Sequence, residues 1–269
     1  MLCFPNAKIN LGLNVVSKRP DGYHNLETVF YPVGLKDALE IVPSEGKEPC
    51  RLFLSGIAID GKTEDNLILK AYKLLAEEKK IPPIDIYLLK KIPFGAGLGG
   101  GSADAAFMLN LLNETFALGY SERERERFAA KIGADCPFFV RNKPAFATGI
   151  GDEIEPVELD LSSYCFVLVK PSYGVPTKDA YALLKPREAE LSLKKIIRKP
   201  LSEWRGLMKN DFETPVFRKY PQIGEIKDEL YRRGAVYASM SGSGSSVYAF
   251  FDEMPDLSNC FDGCFVWQS

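Results

Sequence analysis

Between Pro93 and Ala103 the chain reads Pro-Phe-Gly-Ala-Gly-Leu-Gly-Gly-Gly-Ser-Ala, which puts five glycines into the seven positions 95–101. Ordering so many residues without Cβ atoms inside a helix or strand carries a large entropic cost, so the segment is a loop. Ahead of it, residues 84–92 read as a strand. Behind it, a helix opens at Ser102 with Asp104 in its first turn, and Ala106, Leu109, Leu112 and Phe116 give it a broad apolar side. A bare loop feeding a helix lets backbone N–H groups converge on an anion, and the helix N-terminus adds about half a positive charge there. A plain tight turn needs only one or two glycines, so the segment is read as a phosphate-binding loop.

The same letters fit the dinucleotide fingerprint, with Gly95, Gly97 and Gly100 at G-x-G-x-x-G spacing. Lys90, Lys91 and Pro93 stand between the apolar run and the first glycine, where such a site is fed by a wholly apolar central strand, so the match is weak. A second segment, Gly56-Ile-Ala-Ile-Asp-Gly-Lys62-Thr63, satisfies G-x-x-x-x-G-K-[ST] letter for letter. Ile57 and Ile59 are β-branched where such a loop must curl around oxygens, and Asp60, Glu64 and Asp65 would bring carboxylates near a polyphosphate. That segment is read instead as a hairpin-type connection into a helix capped by Asp65. A third loop, Ser241-Gly-Ser-Gly-Ser245, joins two strand-like segments and offers hydroxyls beside glycines, which suits a second anion-binding or substrate-lining loop.

Composition narrows the function classes. With 269 residues, 46% of them hydrophobic, the chain is long enough for one large domain or two ordinary ones. Its 34 Lys and Arg against 36 Asp and Glu are interspersed, with no basic stripe for nucleic acid. The single histidine, His24, leaves little room for Ser/His/Asp or Cys/His nucleophilic chemistry. Six scattered cysteines, Cys3, Cys50, Cys136, Cys165, Cys260 and Cys264, have no paired framework and too few histidines beside them for a four-ligand zinc set, so reduced thiols are expected. No run of 18 apolar residues occurs, and the N-terminal residues lack a charged n-region. A cytoplasmic protein with a small-molecule partner, no nucleic acid and no membrane is the expectation.

Strands are expected over 6–16, 27–42, 51–55, 84–92 and 164–170, with two more flanking Ser241–Ser245. Helices are expected at 67–75, from Ser102, from the Ser121/Glu124 capping-box pair to a stop at Gly133, around 203–209, and over 222–233. The order is mixed α+β. A composition shift near Pro156 sets the expected boundary between domains at 1–157 and 158–269.

Taken together, AKINLGL at 7–13, DGYHNLETVF at 21–30, EDNLILKA at 64–71, PFGAGLGGGSADAA at 93–106, GADCPFF at 133–139 and SMSGSGSSVYAFF at 239–251 resemble the galactokinase, homoserine kinase, mevalonate kinase and phosphomevalonate kinase (GHMP) superfamily. The AKINLGL and DGYH pair is similar to the branch that phosphorylates a cytidyl diphosphate sugar alcohol in non-mevalonate isoprenoid synthesis. The resemblance implies a two-domain α+β fold with the active site in the cleft between domains, and use of ATP with Mg²⁺. It implies Lys8 and Asp135 as the catalytic pair. ATP would lie on Pro93, Phe94, Gly95, Ala96, Gly97, Leu98, Gly99, Gly100, Gly101, Ser102 and Ala103, with Asn66 and Leu67 near the adenine and Ser102 within reach of Mg²⁺.

For the other substrate the resemblance implies Tyr23 stacking on the cytosine, His24 reading its edge, Tyr181 as the opposing aromatic, and Asn10, Gly242, Ser243 and Gly244 along the sugar and phosphate path. A monomer or weak homodimer is expected. Ala103 stands where a second serine is common. The alternatives are a non-catalytic nucleotide-binding regulator, against which Lys8 and Asp135 speak, and a kinase of another polyol, which would not need Tyr23 and His24.

Overall fold

The computed structural model describes residues 1–58, 62–182, 184, 186–187 and 189–269. Its first half contains strands β1 (Leu2–Cys3), β2 (Asn6–Lys18), β3 (His24–Lys36), β4 (Ala38–Pro43) and β5 (Cys50–Gly56), helix α1 (Leu67–Ala76), strand β6 (Ile84–Lys90), and helices α2 (Gly100–Thr115), α3 (Glu122–Ile132) and α4 (Cys136–Arg141). Strands β7 (Ala145–Thr148), β8 (Glu153–Pro156) and β9 (Cys165–Lys170) follow, then helices α5 (Thr177–Ala182), α6 (Leu193–Ile196), α7 (Glu213–Lys219) and α8 (Pro221–Arg232), and strands β10 (Tyr237–Met240), β11 (Val247–Phe251) and β12 (Phe265–Gln268). Among the described residues the strands form three four-stranded sheets, in the orders β1-β4-β6-β5, β2-β3-β7-β8 and β10-β11-β9-β12.

The residues group into two compact units. The first holds Met1–Lys8, Pro32–Phe94 and Gly99–Lys143, and the second holds Ile9–Tyr31, Gly95–Leu98 and Pro144–Ser269. The chain therefore changes unit within β2, within β3, on either side of Gly95–Leu98 and between Lys143 and Pro144. Residues 157 and 158, where composition suggested a boundary, both lie in the second unit.

In the first unit, β6 alternates: Ile84, Ile86, Leu88 and Lys90 are buried while Tyr87 and Leu89 face solvent. Ile68, Ala71 and Leu75 of α1 and Leu109 and Leu112 of α2 are buried as well, and these two helices pack on each other. Strand β5 pairs parallel with β6, so these two strands are not the arms of one hairpin. Asn66, not Asp65, caps α1, its Oδ1 accepting the Ile68 N–H at 2.9 Å, because Asp65 is taken into a short 3₁₀ turn, Thr63–Asp65. Ile59, Asp60 and Gly61 of the second glycine segment lie outside the described residues. Helix α3 has the expected capping box between Ser121 and Glu124 and stops at Gly133.

In the second unit, α7 and α8 cover one face of the last sheet, with Val216, Ile223, Ile226 and Leu230 packed on Val167, Val169, Val247 and Ala249. The helix expected at 203–209 is not formed; a 3₁₀ turn at Leu201–Glu203 and a bridge between Arg205 and Met208 stand there, and Gly206 at φ 103° interrupts the run.

Candidate active site

Strand β2 places Lys8 and Asn10 on one face and Ala7, Ile9 and Leu11 on the other, and all five are buried. In the first unit the Lys8 ammonium lies 3.3 Å from Oδ2 of Asp135; the lysine side chain is 5% exposed and the aspartate 34%. Asp135 sits at the start of α4 but its side chain makes no capping hydrogen bond there, so the carboxylate remains directed to other partners. The five residues that follow, Cys136–Val140, are all buried, which holds that carboxylate at the rim of an apolar core. Burial pushes the neighbouring Cys136 thiol up to about 11, which leaves it a poor nucleophile.

The glycine loop runs past this pair. Helix α2 opens at Gly100, two residues before the expected start, and the N-cap is Gly99 at φ 68°. Ser102 is thus inside the first turn and not at the cap. A Cβ on Gly99 would lie 2.9 Å from the Phe139 ring and 3.2 Å from Cε of Lys8, so only glycine lets the loop come this close to the lysine.

A cavity of about 360 Å³ opens beside the start of α2, lined by Leu54, Lys62, Asn66, Leu67, Phe94 and Gly101, with Lys90 and Asp104 also on its wall. It brings Asn66 and Leu67 together with the glycine loop's Phe94 and Gly101. Lys62, from the rejected second segment, is exposed and shares this wall.

In the second unit, Gly95–Leu98 packs against the Ser241–Ser245 loop. Ser241 Oγ donates to the Gly97 carbonyl at 2.8 Å and accepts the Asn10 N–H at 3.2 Å. Ser245 Oγ donates to the Tyr173 carbonyl at 2.8 Å, and the Asn210 side-chain amide holds the Met240 and Gly242 carbonyls at 2.7 and 2.8 Å. Two of the three hydroxyls therefore brace the glycine loop and its surroundings, and Ser243, 3.4 Å from the Thr177 hydroxyl, is the more accessible third. Ala96 and Leu98 are buried, so they contribute backbone. Asn10 is held by Tyr248, whose hydroxyl donates to its carbonyl at 2.8 Å, and its side chain donates to Thr28 at 3.0 Å.

His24, not Tyr23, meets Tyr181: the rings stack at 4.7 Å between centroids and 26° between planes. Phe212 abuts Tyr181 edge-on at 4.8 Å, while Tyr23 is 61% exposed. Partial burial, and the Lys18 charge after it, lower the His24 pKa, so the ring is a neutral hydrogen-bonding partner at pH 7.

The residues that sequence reasoning missed lie under the loop. Lys90 is 4% exposed; its ammonium bonds Oδ2 of Asp37 and, at 2.7 Å, Oδ2 of Asp104, whose side chains are 0% and 4% exposed. The alternation of Ile84, Ile86, Leu88 and Lys90 was the available signal, since it places the lysine on the inward face.

Two family models match: the GHMP kinases N-terminal domain over residues 66–143 and the GHMP kinases C-terminal domain over residues 192–259. A 4-diphosphocytidyl-2-C-methyl-D-erythritol kinase of Bacteroides fragilis is 56% identical over 271 residues, covering 100% of this chain and 99% of its own. One from Parabacteroides distasonis is 56% identical over 270 residues, covering 100% and 98%. Among solved structures, a 4-(cytidine 5'-diphospho)-2C-methyl-D-erythritol kinase superposes with a TM-score of 0.83 at 31% identity, covering 100% of this chain and 98% of that one. Matched along its whole length at this identity, and by the models of both domains, the chain belongs to the GHMP kinases and within them to the 4-diphosphocytidyl-2-C-methyl-D-erythritol kinase family.

Proposed function

We propose that this protein is an ATP-dependent kinase that transfers the γ-phosphoryl group to the 2-hydroxyl of 4-diphosphocytidyl-2-C-methyl-D-erythritol, a step of the non-mevalonate route to isoprenoid precursors. The observation that carries the chemistry is the Lys8–Asp135 pair, 3.3 Å apart, with Lys8 Cε pressed against the glycine loop at Gly99. Asp135 takes the proton of the substrate hydroxyl as that oxygen forms its bond to the γ-phosphorus. The bond to the β,γ-bridging oxygen breaks, and its electron pair leaves with ADP. Lys8 offsets negative charge at the reacting oxygens.

Loop amides from Gly95 to Gly101 hold the phosphates and the cavity beside Asn66 and Leu67 takes the adenine. In the second unit Asn10, Gly242, Ser243 and Gly244 guide the diphosphate sugar alcohol, while Tyr23, His24 and Tyr181 take the cytosine. Among the described residues no cluster of three or more His, Cys, Asp or Glu side chains makes a metal cage. That suits Mg²⁺, which binds through substrate phosphates and one or two protein oxygens, and the Ser102 hydroxyl is the side chain that would reach it. The ion supplies charge neutralisation on the triphosphate when bound. The working protein is cytoplasmic and acts on a small molecule as a monomer or weak homodimer.

The test is a coupled ADP-release assay with the cytidyl diphosphate methylerythritol, mevalonate, homoserine and galactose as acceptors. Turnover is expected with the first alone; turnover of one of the others without the first refutes the assignment.

A further inference from the structure

The Asp37–Lys90–Asp104 cluster takes no part in the chemistry above, yet it is the most deeply buried group of charges described in the first unit. Its connections all lead to the glycine loop. Asp37, between β3 and β4, accepts the Lys91 and Ile92 N–H groups on its Oδ1 at 2.6 and 2.8 Å, which fixes the chain as it leaves β6. Its Oδ2 holds Lys90. Lys90 in turn reaches Asp104, in the second turn of α2, at 2.7 Å. Between these tethers Gly100 is pressed flat: a Cβ there would lie 2.8 Å from Cγ2 of Ile92 and 3.4 Å from the Lys90 ammonium. One lysine thus ties the strand entering the loop to the helix leaving it.

We propose that Asp37, Lys90 and Asp104 are positioning residues for ATP, clamping the start of α2 to the end of β6 so that the amides of Gly99, Gly100 and Gly101 are aimed before the nucleotide arrives. Pre-aimed donors cost no reorganisation on binding, so the clamp acts on affinity for ATP and not on the acceptor. Oδ1 of Asp104 is buried without a hydrogen-bond partner. Burial, with the Asp37 carboxylate beside it, pushes Asp104 up to about 7 against the pull of Lys90, so the carboxyl takes up a proton far more readily than an ordinary aspartate. What Lys90 needs from residue 104 is an acceptor oxygen, which an amide also provides.

This inference rests on the glycine loop being the phosphate site. The test compares KM for ATP, KM for the acceptor, kcat and melting temperature in the parent, Lys90→Met, Asp104→Ala, Asp104→Asn and, as a check on the loop itself, Gly95→Ala. Lys90→Met and Asp104→Ala are expected to raise KM for ATP tenfold or more with KM for the acceptor within twofold; Asp104→Asn is expected to restore KM for ATP to within threefold of the parent. Should Lys90→Met not fold, the Asp104 pair decides. If KM for ATP is unchanged in Lys90→Met or Asp104→Ala, or if both KM values move together with the melting temperature, the clamp is structural only and the proposal fails. An equal defect in Asp104→Ala and Asp104→Asn likewise overturns it. A Gly95→Ala enzyme with normal KM for ATP removes the loop reading itself, whereas a defect there beside a silent Lys90→Met removes only the clamp.

Discussion

Gly95 and Gly97 both have left-handed backbone, φ 63° and 73°, yet alanine meets opposite surroundings at the two positions. A Cβ at Gly95 has no atom within 4 Å, whereas at Gly97 it would lie 2.1 Å from the Ser241 carbonyl oxygen and 2.9 Å from its carbon. In Gly95→Ala the folding cost is that of the left-handed conformation alone, about 1–2 kcal/mol. In Gly97→Ala the loop must also move away from Ser241, which breaks the 2.8 Å bond to the Gly97 carbonyl and loosens Ser241's hold on the Asn10 N–H. At roughly 1 kcal/mol for each hydrogen bond, the total rises to about 3–4 kcal/mol. For a chain of this size those figures correspond to melting temperatures lower by roughly 2–8 °C and 6–16 °C respectively. Activity divides them differently. The open space at Gly95 is where a phosphate oxygen would approach the amides, so a methyl group there should raise KM for ATP tenfold or more in an otherwise stable enzyme. Thermal denaturation with steady-state kinetics in both substrates reads the two effects separately. A Gly95→Ala enzyme with KM for ATP within twofold of the parent would refute the phosphate-cradle reasoning, and a Gly97→Ala enzyme as stable as Gly95→Ala would refute the packing argument.

Lys8→Met and Asp135→Asn should each lower kcat by about 10²–10⁴-fold, the usual worth of a positioned proton acceptor, with ATP affinity measured by titration within about threefold; wild-type turnover in Asp135→Asn would exclude it as the base. Tyr181→Ala should raise KM for the cytidyl substrate by about 5–150-fold, corresponding to about 1–3 kcal/mol for a base stacked on an aromatic ring, and leave KM for ATP alone. Asp104→Asn should change stability with pH in a defined sense. The carboxyl has a folded pKa of about 7 against about 3.9 unfolded, so the folded parent holds the extra proton, and its stability falls as pH rises through that window. The amide carries no such proton, so its unfolding free energy should gain on the parent's from pH 4 to pH 8, by an amount of order 1–4 kcal/mol at the upper end, read by denaturant melts at each pH. A gain that shrinks with rising pH would contradict the buried-charge account. Ser241→Ala should cost about 1–3 kcal/mol by leaving the buried Asn10 N–H without its hydroxyl acceptor, read by denaturant melts.

What was legible in the sequence was what local chemistry decides. The capping box at Ser121 and Glu124 satisfies its own donors within one turn, so its letters suffice. Glycine density between 95 and 101 declares a bare loop for the same reason. Choices that turn on one neighbour were harder. Asp65 and Asn66 are both good caps, and the 3₁₀ turn that claims Asp65 hands the role to Asn66. Strand β12 alternates between half-buried and exposed residues over four positions and exists because β9 offers it an edge more than ninety residues earlier, which no local pattern announces. Tyr23 and His24 were assigned to the base by resemblance, but which ring covers Tyr181 depends on where β3 begins: at His24, which turns the imidazole toward Tyr181 and leaves Tyr23 in the exposed turn.

Lys90 shows the limit most clearly. Beside Lys91 and ahead of Pro93 it reads as the solvated end of a strand, and only the inward phase of β6 says otherwise. An inward lysine demands a counter-charge, and Asp37 lies 53 residues upstream, so the demand is visible in sequence while its answer is not. Electrostatics also explains why two carboxylates answer one ammonium without penalising the nucleotide. With both ionised the cluster would carry one net negative charge next to the loop proposed for the triphosphate, and unit charges roughly 8 Å apart at an effective dielectric constant of about 20 repel by about 2 kcal/mol each. With Asp104 raised to about 7 by burial and by the Asp37 carboxylate, a proton taken up there makes the cluster neutral, which keeps its hydrogen bonds and removes that repulsion. Replacing Asp104 by asparagine should then weaken the dependence of KM for ATP on pH between 6 and 8, since the amide is neutral throughout. A pH profile as steep in the asparagine variant as in the parent would assign the titration to another group.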